Sequence, residues 1–319
     1  MKKILSLFVL SFSLLLFLVS CNNEDYDIVV TNFVGYDAVR AVTKDTNHNT
    51  KMLLKAGTDV HKFDPTANDK KAVLKCSLFV YVGGESDSEW VENNILADIK
   101  DSNIKVINMF DVLKDKLLLE ENHDGEEHDH EEEEEYDEHV WTDPSNFVMI
   151  VEAINKELAL IDKENEEIFN NNTKDYVAKL NEADLNMQAS IDSTNKGKIV
   201  VADRNPFLYF ENHYGIEVIG ALHGCSADKN VPTSKIIELK NEVETNQLKS
   251  IFVIELSDKK IAESVKGEVD NDINNGSYNG SSVKILTFYS IQNISDEDFK
   301  AGKTYLDFFK ANIETIKEI

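Results

Sequence analysis

Two histidines stand in short, turn-rich stretches whose residue types fit metal chemistry: Gly57-Thr58-Asp59-Val60-His61-Lys62-Phe63-Asp64-Pro65 and Glu138-His139-Val140-Trp141-Thr142-Asp143-Pro144-Ser145-Asn146. Neutral imidazole is a borderline donor suited to Zn, Cu, Ni or Mn, and a tetrahedral zinc site asks for Zn–N bonds of about 2.0–2.1 Å. His61 follows a strand, Gly57 and a turn, with Pro65 fixing the exit; His139 precedes a turn whose Asp143 is placed to cap the next helix. The carboxyl ends of sheet strands, where chain direction changes, are where open α/β folds hold ligands. Between the two stretches, residues 120–138 hold thirteen acids, three histidines (His123, His128, His130) and no Lys or Arg. Such a tract cannot bury a core and reads as disordered, with imidazoles among carboxylates making a weak, exchangeable accessory site for borderline cations. A solvated acidic linker is the plainer alternative.

The elements needed to position these residues are readable from pattern. Tyr26 to Thr31, Lys51 to Lys55, Leu78 to Val82 and Lys105 to Asn108 read as strands, with helices over Tyr36 to Thr43 and Trp90 to Ile99. A continuous apolar run such as Leu78-Phe79-Val80-Tyr81-Val82, closed by Gly83-Gly84, marks a strand covered on both faces of a parallel sheet. From Ser145 apolar residues recur at helical spacing for nearly fifty residues, a long helical link that Asp162 and Asn170-Asn171-Asn172 are expected to break in two. Beyond Gly197 the alternation resumes, with strands at Lys198 to Ala202, Glu217 to Ala221, Ser250 to Glu255 and Val283 to Phe288. Helices are expected over Pro206 to Tyr214, Ser234 to Asn246, to about Val269, and Tyr305 to Ile316, with Asp270 to Ser282 as a surface loop. The pattern predicts an α/β fold of two (β/α) lobes with mostly parallel sheets. The expected units are a leader over 1–20, an N-terminal lobe over 21–145 that includes the acidic loop, a linking helical segment over 146–195, and a C-terminal lobe over 196–319.

Lys2-Lys3, the apolar run Ile4 to Leu18 and then Leu18-Val19-Ser20-Cys21 match a secretory leader ending in a lipobox, in which the cysteine is acylated and becomes the new N-terminus. Acyl chains on Cys21 then predict an extracytoplasmic lipoprotein anchored to the cell membrane. A formal charge of −26 excludes a nucleic-acid partner, whose phosphates need a basic face. Cys76 and Cys225 are too few for a disulfide framework; they read as free buried thiols, a single bridge being the alternative.

The stretches around His61 and His139, the lipobox, the acidic histidine tract and Tyr209-Phe210 through Tyr214-Gly215 resemble the zinc/manganese solute-binding lipoproteins of bacterial ABC importers. The resemblance covers nearly the whole chain beyond the leader and implies two lobes joined by a long helix, metal in the cleft between them, and limited hinge motion on loading. It also shows departures. Val60 replaces the proline of the family's Pro-His element. Arg204, in Asp203-Arg204-Asn205-Pro206-Phe207, stands where a third histidine is usual, and a guanidinium has no lone pair to give. Phe288-Tyr289-Ser290 occupies the region of the family's terminal carboxylate. The elements Asp-Arg-x-Pro-Phe and Gly-Cys-Ser-Ala mark a divergent zinc-type branch, in which Arg204 pairs with a carboxylate or braces a lobe.

His61 and His139 are therefore the expected ligands, with His223, Glu255 and Asp203 as candidates from the C-terminal lobe and Cys225 as a weaker one. Zn2+ is the expected ion and Mn2+ the alternative, since manganese prefers oxygen-rich sites. The leading expectation is a monomeric, non-enzymatic receptor that captures zinc and hands it to an ABC permease. A zinc hydrolase using His61, His139 and Glu255, and a surface adhesin or metal buffer, are the competing readings; no His-Glu-x-x-His, phosphate loop or nucleophile elbow is present.

Overall fold

Leu78–Tyr81 is apolar at every position because both of its faces are covered: Leu78 and Val80 face one core, Phe79 and Tyr81 another. The same alternation governs Ile28 and Val30 against Val29, and Ile199 and Val201 against Val200 and Ala202. The computed structural model describes residues 26–120, 135–223 and 231–319. Its strands form two parallel four-stranded sheets. In the first, β1 (Ile28–Val30), β2 (Thr50–Met52), β3 (Leu78–Tyr81) and β4 (Lys105–Asn108) lie in the order β2-β1-β3-β4. In the second, β5 (Lys198–Asn205), β6 (Glu217–His223), β7 (Ser250–Val253) and β8 (Lys284–Thr287) lie in the order β6-β5-β7-β8.

Helices cover both faces of each sheet. In the N-terminal lobe these are α1 (Phe33–Val42), α2 (Ala67–Val73), a helical run α3 over 88–99 whose middle, Glu92–Leu96, is π-wound, and α4 (Met109–Leu113). The link is α5 (Pro144–Ile161) and α6 (Glu166–Thr194). The C-terminal lobe carries α7 (Leu208–Tyr214), α8 (Thr233–Thr245), α9 (Lys260–Asn275), α10 (Asp296–Lys300) and α11 (Tyr305–Ile316). At 1.5 Å per residue, the 29 residues of α6 span about 43 Å. One core runs unbroken from the first sheet (Val30, Val80) through Phe147, Ile154, Leu180, Met187 and Tyr305 to the second (Val201, Phe252), so the lobes share buried apolar surface as well as a covalent link. No helix among the described residues is long and apolar enough to cross a membrane.

Three local expectations are corrected. The link breaks at Asp162 but runs straight through Asn170–Asn172, because Asn170 accepts from Asn155 and the Asn172 amide donates to the carbonyls of Val42 and Lys44; tertiary bonds override the intrinsic preference of Asn. The expected loop from Asp270 is helical as far as Asn275, since Ile273 continues the stripe of Ala262, Val265 and Val269 onto the second sheet; Gly276, at φ 80°, ends the helix. Strand β2 is shorter than the run Lys51 to Lys55, since Leu53 and Leu54 donate to the carbonyls of Val30, at the end of β1, and of Thr31 just past it, as the chain leaves the sheet. Cys76 is a free, buried thiol whose ionisation burial pushes up to about 12, so it is inert; Cys21, Cys225, His123, His128 and His130 lie outside the described residues.

Candidate metal centre

The site begins at the carboxyl ends of β1 and β3. Asp87 is buried and accepts from Thr31 Oγ1 at 2.6 Å, Val82 N at 2.8 Å and Gly83 N at 2.9 Å, folding the chain sharply after β3. Burial pushes this carboxyl up to about 6, the three donors only partly offsetting the loss of water. The tight turn leaves Gly84 against Glu138: a Cβ there would stand 2.4 Å from Glu138 Cβ and 2.8 Å from its Oε2. Glu138 Oε2 in turn accepts from Ser86 N at 2.8 Å, so the carboxylate is packed and oriented rather than solvated.

His139 is 1% exposed. Asp137 Oδ1 accepts from its backbone N at 2.8 Å and lies 3.2 Å from Nδ1, and Gln292 Oε1 lies 2.8 Å from Nε2. The His139 carbonyl accepts from Thr142 N and Thr142 Oγ1, which shapes the 3-10 turn Val140–Thr142, and Asp143 then caps α5 through Ser145 N at 2.7 Å. Asp59 caps the corresponding turn, Val60–Lys62, by accepting from His61 N at 3.2 Å. His61 Nδ1 lies 3.7 Å from Glu138 Oε1, while its buried Nε2 has no hydrogen-bond partner among the described residues. The two imidazole centroids are 6.3 Å apart, and one donor atom from each of His61, Glu138 and His139 lies within 4.8 Å of the others. Burial, opposed by the Glu138 charge and reinforced by His139, lowers the His61 pKa to about 4. At neutral pH its ring is therefore uncharged, the form that binds a cation.

The lobes also meet through charge. Arg204, on β5, forks onto Asp59 with Nη2–Oδ2 at 3.1 Å and Nη1–Oδ1 at 3.4 Å, so the residue standing at the usual third-histidine place ties the C-terminal lobe to the cap of the His61 turn. Burial works to raise the Asp59 carboxyl, but the Arg204 charge and hydrogen bonds outweigh it and hold the group below its ordinary value. Both residues border a cavity of about 720 Å³ that Asp203, Asp258 and Lys260 also line.

Two of the other sequence candidates, Glu255 and Asp203, are not gathered with the histidines among the described residues. Glu255 is buried at the end of its strand, but Oε2 accepts from Ser290 N and Oε1 from Ser290 Oγ and Asn293 N, so it anchors the segment after β8 instead of reaching the imidazoles. Asp203 lines the cavity and accepts from Arg204 N at 2.9 Å. The backbone of His223 ends β6 beside Asn205. Glu138 was visible in the sequence only as the last member of an acid run, and Gln292 only as one residue of a polar segment. The signal for Glu138 was its place directly before His139; Gln292 left none.

Two α/β lobes with a buried His-Glu-His cluster where they meet define a two-lobed binding fold with its ligand site between sheets. The family model described as ZnuA, zinc-uptake complex component A, periplasmic, matches residues 28–319, and the chain belongs to that family. It is 29% identical over 327 residues to the zinc-binding lipoprotein AdcA of Streptococcus pneumoniae strain R6, an alignment covering 100% of this chain and 61% of that protein. The chain thus spans about three fifths of the length of that relative. It is 24% identical over 332 residues to the high-affinity zinc uptake system protein ZnuA of Bacillus subtilis, covering 99% of this chain and 98% of that one. Among solved structures, it resembles the Zn(II)-bound ZnuA-like domain of Streptococcus pneumoniae AdcA with TM-score 0.69 at 24% identity, covering 92% of this chain and 98% of that one. The periplasmic zinc-binding protein TroA of Treponema pallidum superposes with TM-score 0.73 at 22% identity, covering 92% and 98%. At those identities the two structures establish the fold.

Proposed function

We propose that this protein is an extracytoplasmic zinc receptor, anchored through lipid on Cys21, that captures Zn2+ between its lobes and delivers it to the permease of an ABC importer. In this reading the N-terminal lobe (21–145) supplies His61, Glu138 and His139 as ligands, the segment 146–195 joins the lobes, and the C-terminal lobe (196–319) closes over the ion. The observation that carries the proposal is the buried ring nitrogen of His61, without a hydrogen-bond partner among the described residues, beside a buried carboxylate and a second buried imidazole. An unpaired buried polar atom is costly unless a ligand completes it. Two imidazoles and one carboxylate are a zinc set more than a manganese set, and Asp137 behind His139 matches the carboxylate–histidine–metal arrangement that orients a ligating ring. The zinc named in its relatives supports the same ion. A hydrolase reading loses its general base, because both oxygens of Glu255 are committed to Ser290 and Asn293. The acidic tract ahead of Asp137, with His123, His128 and His130, serves as a weak accessory collecting site.

Zinc titration against a competing chelator tests this. One tight equivalent is expected in the wild type and none in His61→Ala or His139→Ala, while deleting 121–134 removes only weak equivalents. A wild-type tight equivalent in the His139 variant would refute the assignment. A strain lacking the gene should regain growth under zinc chelation with the wild type and not with His139→Ala.

A further inference from the structure

We propose that Arg204 and Tyr209, both from the C-terminal lobe, are positioning residues of the metal centre: each holds the aspartate that sets one histidine turn, so that parting the lobes loosens both histidines together and releases the ion. This inference rests on the metal-binding reading of the His61, Glu138 and His139 cluster.

Each histidine has an aspartate two residues ahead of it, in Asp59-Val60-His61 and Asp137-Glu138-His139. Both aspartates make the same side-chain-to-backbone turn: Asp59 Oδ1 accepts from His61 N at 3.2 Å and Asp137 Oδ1 from His139 N at 2.8 Å. Asp137 Oδ1 also lies 3.2 Å from the His139 ring at Nδ1. A shift of either carboxylate therefore shifts a histidine.

Both aspartates are bonded from the other lobe. Arg204 forks onto Asp59 at 3.1 and 3.4 Å. Tyr209, in the first turn of α7, donates its hydroxyl to the Asp137 carbonyl at 3.0 Å and accepts from Leu118 N at 3.0 Å. Asp137 N donates to the Leu118 carbonyl at 3.0 Å, so both backbone polar groups of Asp137 are fixed, and the phenol pins together the two segments that flank the acidic tract. Tyr209 is 2% exposed, so its ring is held by the core while its hydroxyl is fully used.

The two residues stand on one stiff connection. Asn205 Oδ1 accepts from Phe207 N at 3.2 Å, and its Nδ2 donates to the Val218 carbonyl at 3.2 Å. Gly220 of β6 packs so closely on Asn205 that a Cβ there would stand 2.4 Å from Asn205 Cβ. Pro206 fixes φ, and Phe207 is buried against Phe210 and Phe288. Arg204 and Tyr209 accordingly move as a unit with β5 and β6. Asn293 and Ser290, past β8, seat the same two turns through Val60 N and the Trp141 ring, whereas Arg204 and Tyr209 bond the aspartates themselves. Opening by about 1 Å takes contacts of 3.0–3.4 Å out of hydrogen-bond range, so a small hinge motion frees both.

The test uses the full chain loaded with Zn2+ or Co2+, with His139→Ala run alongside. Tyr209→Phe, which keeps the buried ring, and Arg204→Gln are each expected to speed zinc release to a chelator about tenfold and to change the cobalt visible spectrum, which a purely structural role would not move. Tyr209→Phe should add nothing in an Asp137→Ala background, nor Arg204→Gln in Asp59→Ala, while the effects of Tyr209→Phe and Arg204→Gln should combine. Should an aspartate variant fail to fold, the cobalt spectra of Tyr209→Phe and Arg204→Gln decide alone. Unchanged spectra and release rates in both, with His139→Ala still losing the ion, overturn the positioning roles and leave the cluster standing. An effect from only one of the two overturns the shared lever, and full additivity of Tyr209→Phe with Asp137→Ala overturns the route through that aspartate. Tight zinc retained in His139→Ala overturns the cluster itself.

Discussion

Gly84→Ala displaces the Glu138 carboxylate without replacing any of the three proposed ligand residues. The added methyl carbon would lie 2.4 Å from Glu138 Cβ and 2.8 Å from Oε2, against the 3.5–4.0 Å or so at which carbons pack, so Glu138 must retreat by about 1 Å. Its Oε2 then loses the 2.8 Å bond from Ser86 N that aims it. Gly84 is not in the left-handed region, so the alanine carries no φ strain, but its Cβ would also stand 3.3 Å from Glu138 Cα, so relief moves backbone and is expected to cost the apo protein about 1–3 kcal/mol. Zinc affinity is expected to fall as well, by about ten- to a hundredfold, or roughly 1.4–2.7 kcal/mol. Chelator competition reads the affinity and thermal unfolding of the apo protein reads the fold. Gly83→Ala is the contrasting control, because φ 88° and a Cβ position 2.2 Å from Asn108 Oδ1 make its main effect a loss of stability. Wild-type zinc affinity in Gly84→Ala would show that the Glu138 position is irrelevant to the ion.

The Arg204–Asp59 fork predicts coupling across the lobes. A double-mutant cycle of Arg204→Gln and Asp59→Asn in urea unfolding should return an interaction of about 1–2 kcal/mol that shrinks in high salt, and strict additivity would remove the clasp. His213, on α7, bridges Asp143 at the start of α5 and Asp184 on α6; hydrogen bonds to those two carboxylates raise it to about 9. Because the folded pKa exceeds the unfolded value of about 6.5, its contribution is complete below pH 6.5 and is lost as pH rises toward 9. The shift sets an upper bound near 3 kcal/mol, so His213→Gln should cost about 1–3 kcal/mol at pH 6 and far less at pH 9.5. A difference between the two proteins that does not change with pH would contradict the bridge.

The sheets were legible because burial on both faces writes itself as continuous apolar runs, as in Leu78–Tyr81 and Ser250–Val253. The histidine turns were legible because caps and prolines are local: Asp143 and Pro144 open α5 as expected. What depended on distant partners was not. Asn170–Asn172 stay helical only because Asn155, Val42 and Lys44 receive them. Glu255 looked like a cleft carboxylate until Ser290 and Asn293 filled both its oxygens. Glu138 was hidden by composition, since it is one acid in a long run of them and only its place directly before His139 sets it apart. Arg204 was recognised as a departure from the resembling family, but its partner, 145 residues away at Asp59, follows only from how the lobes meet.

The most direct measurement is the position of the ion. An anomalous difference map collected at the zinc edge from crystals of the loaded protein should show one strong peak at the junction of the lobes, about 2.0–2.1 Å from nitrogens of His61 and His139 and from a Glu138 oxygen. A peak lying elsewhere, or bonded to only one of the two imidazoles, would contradict the account.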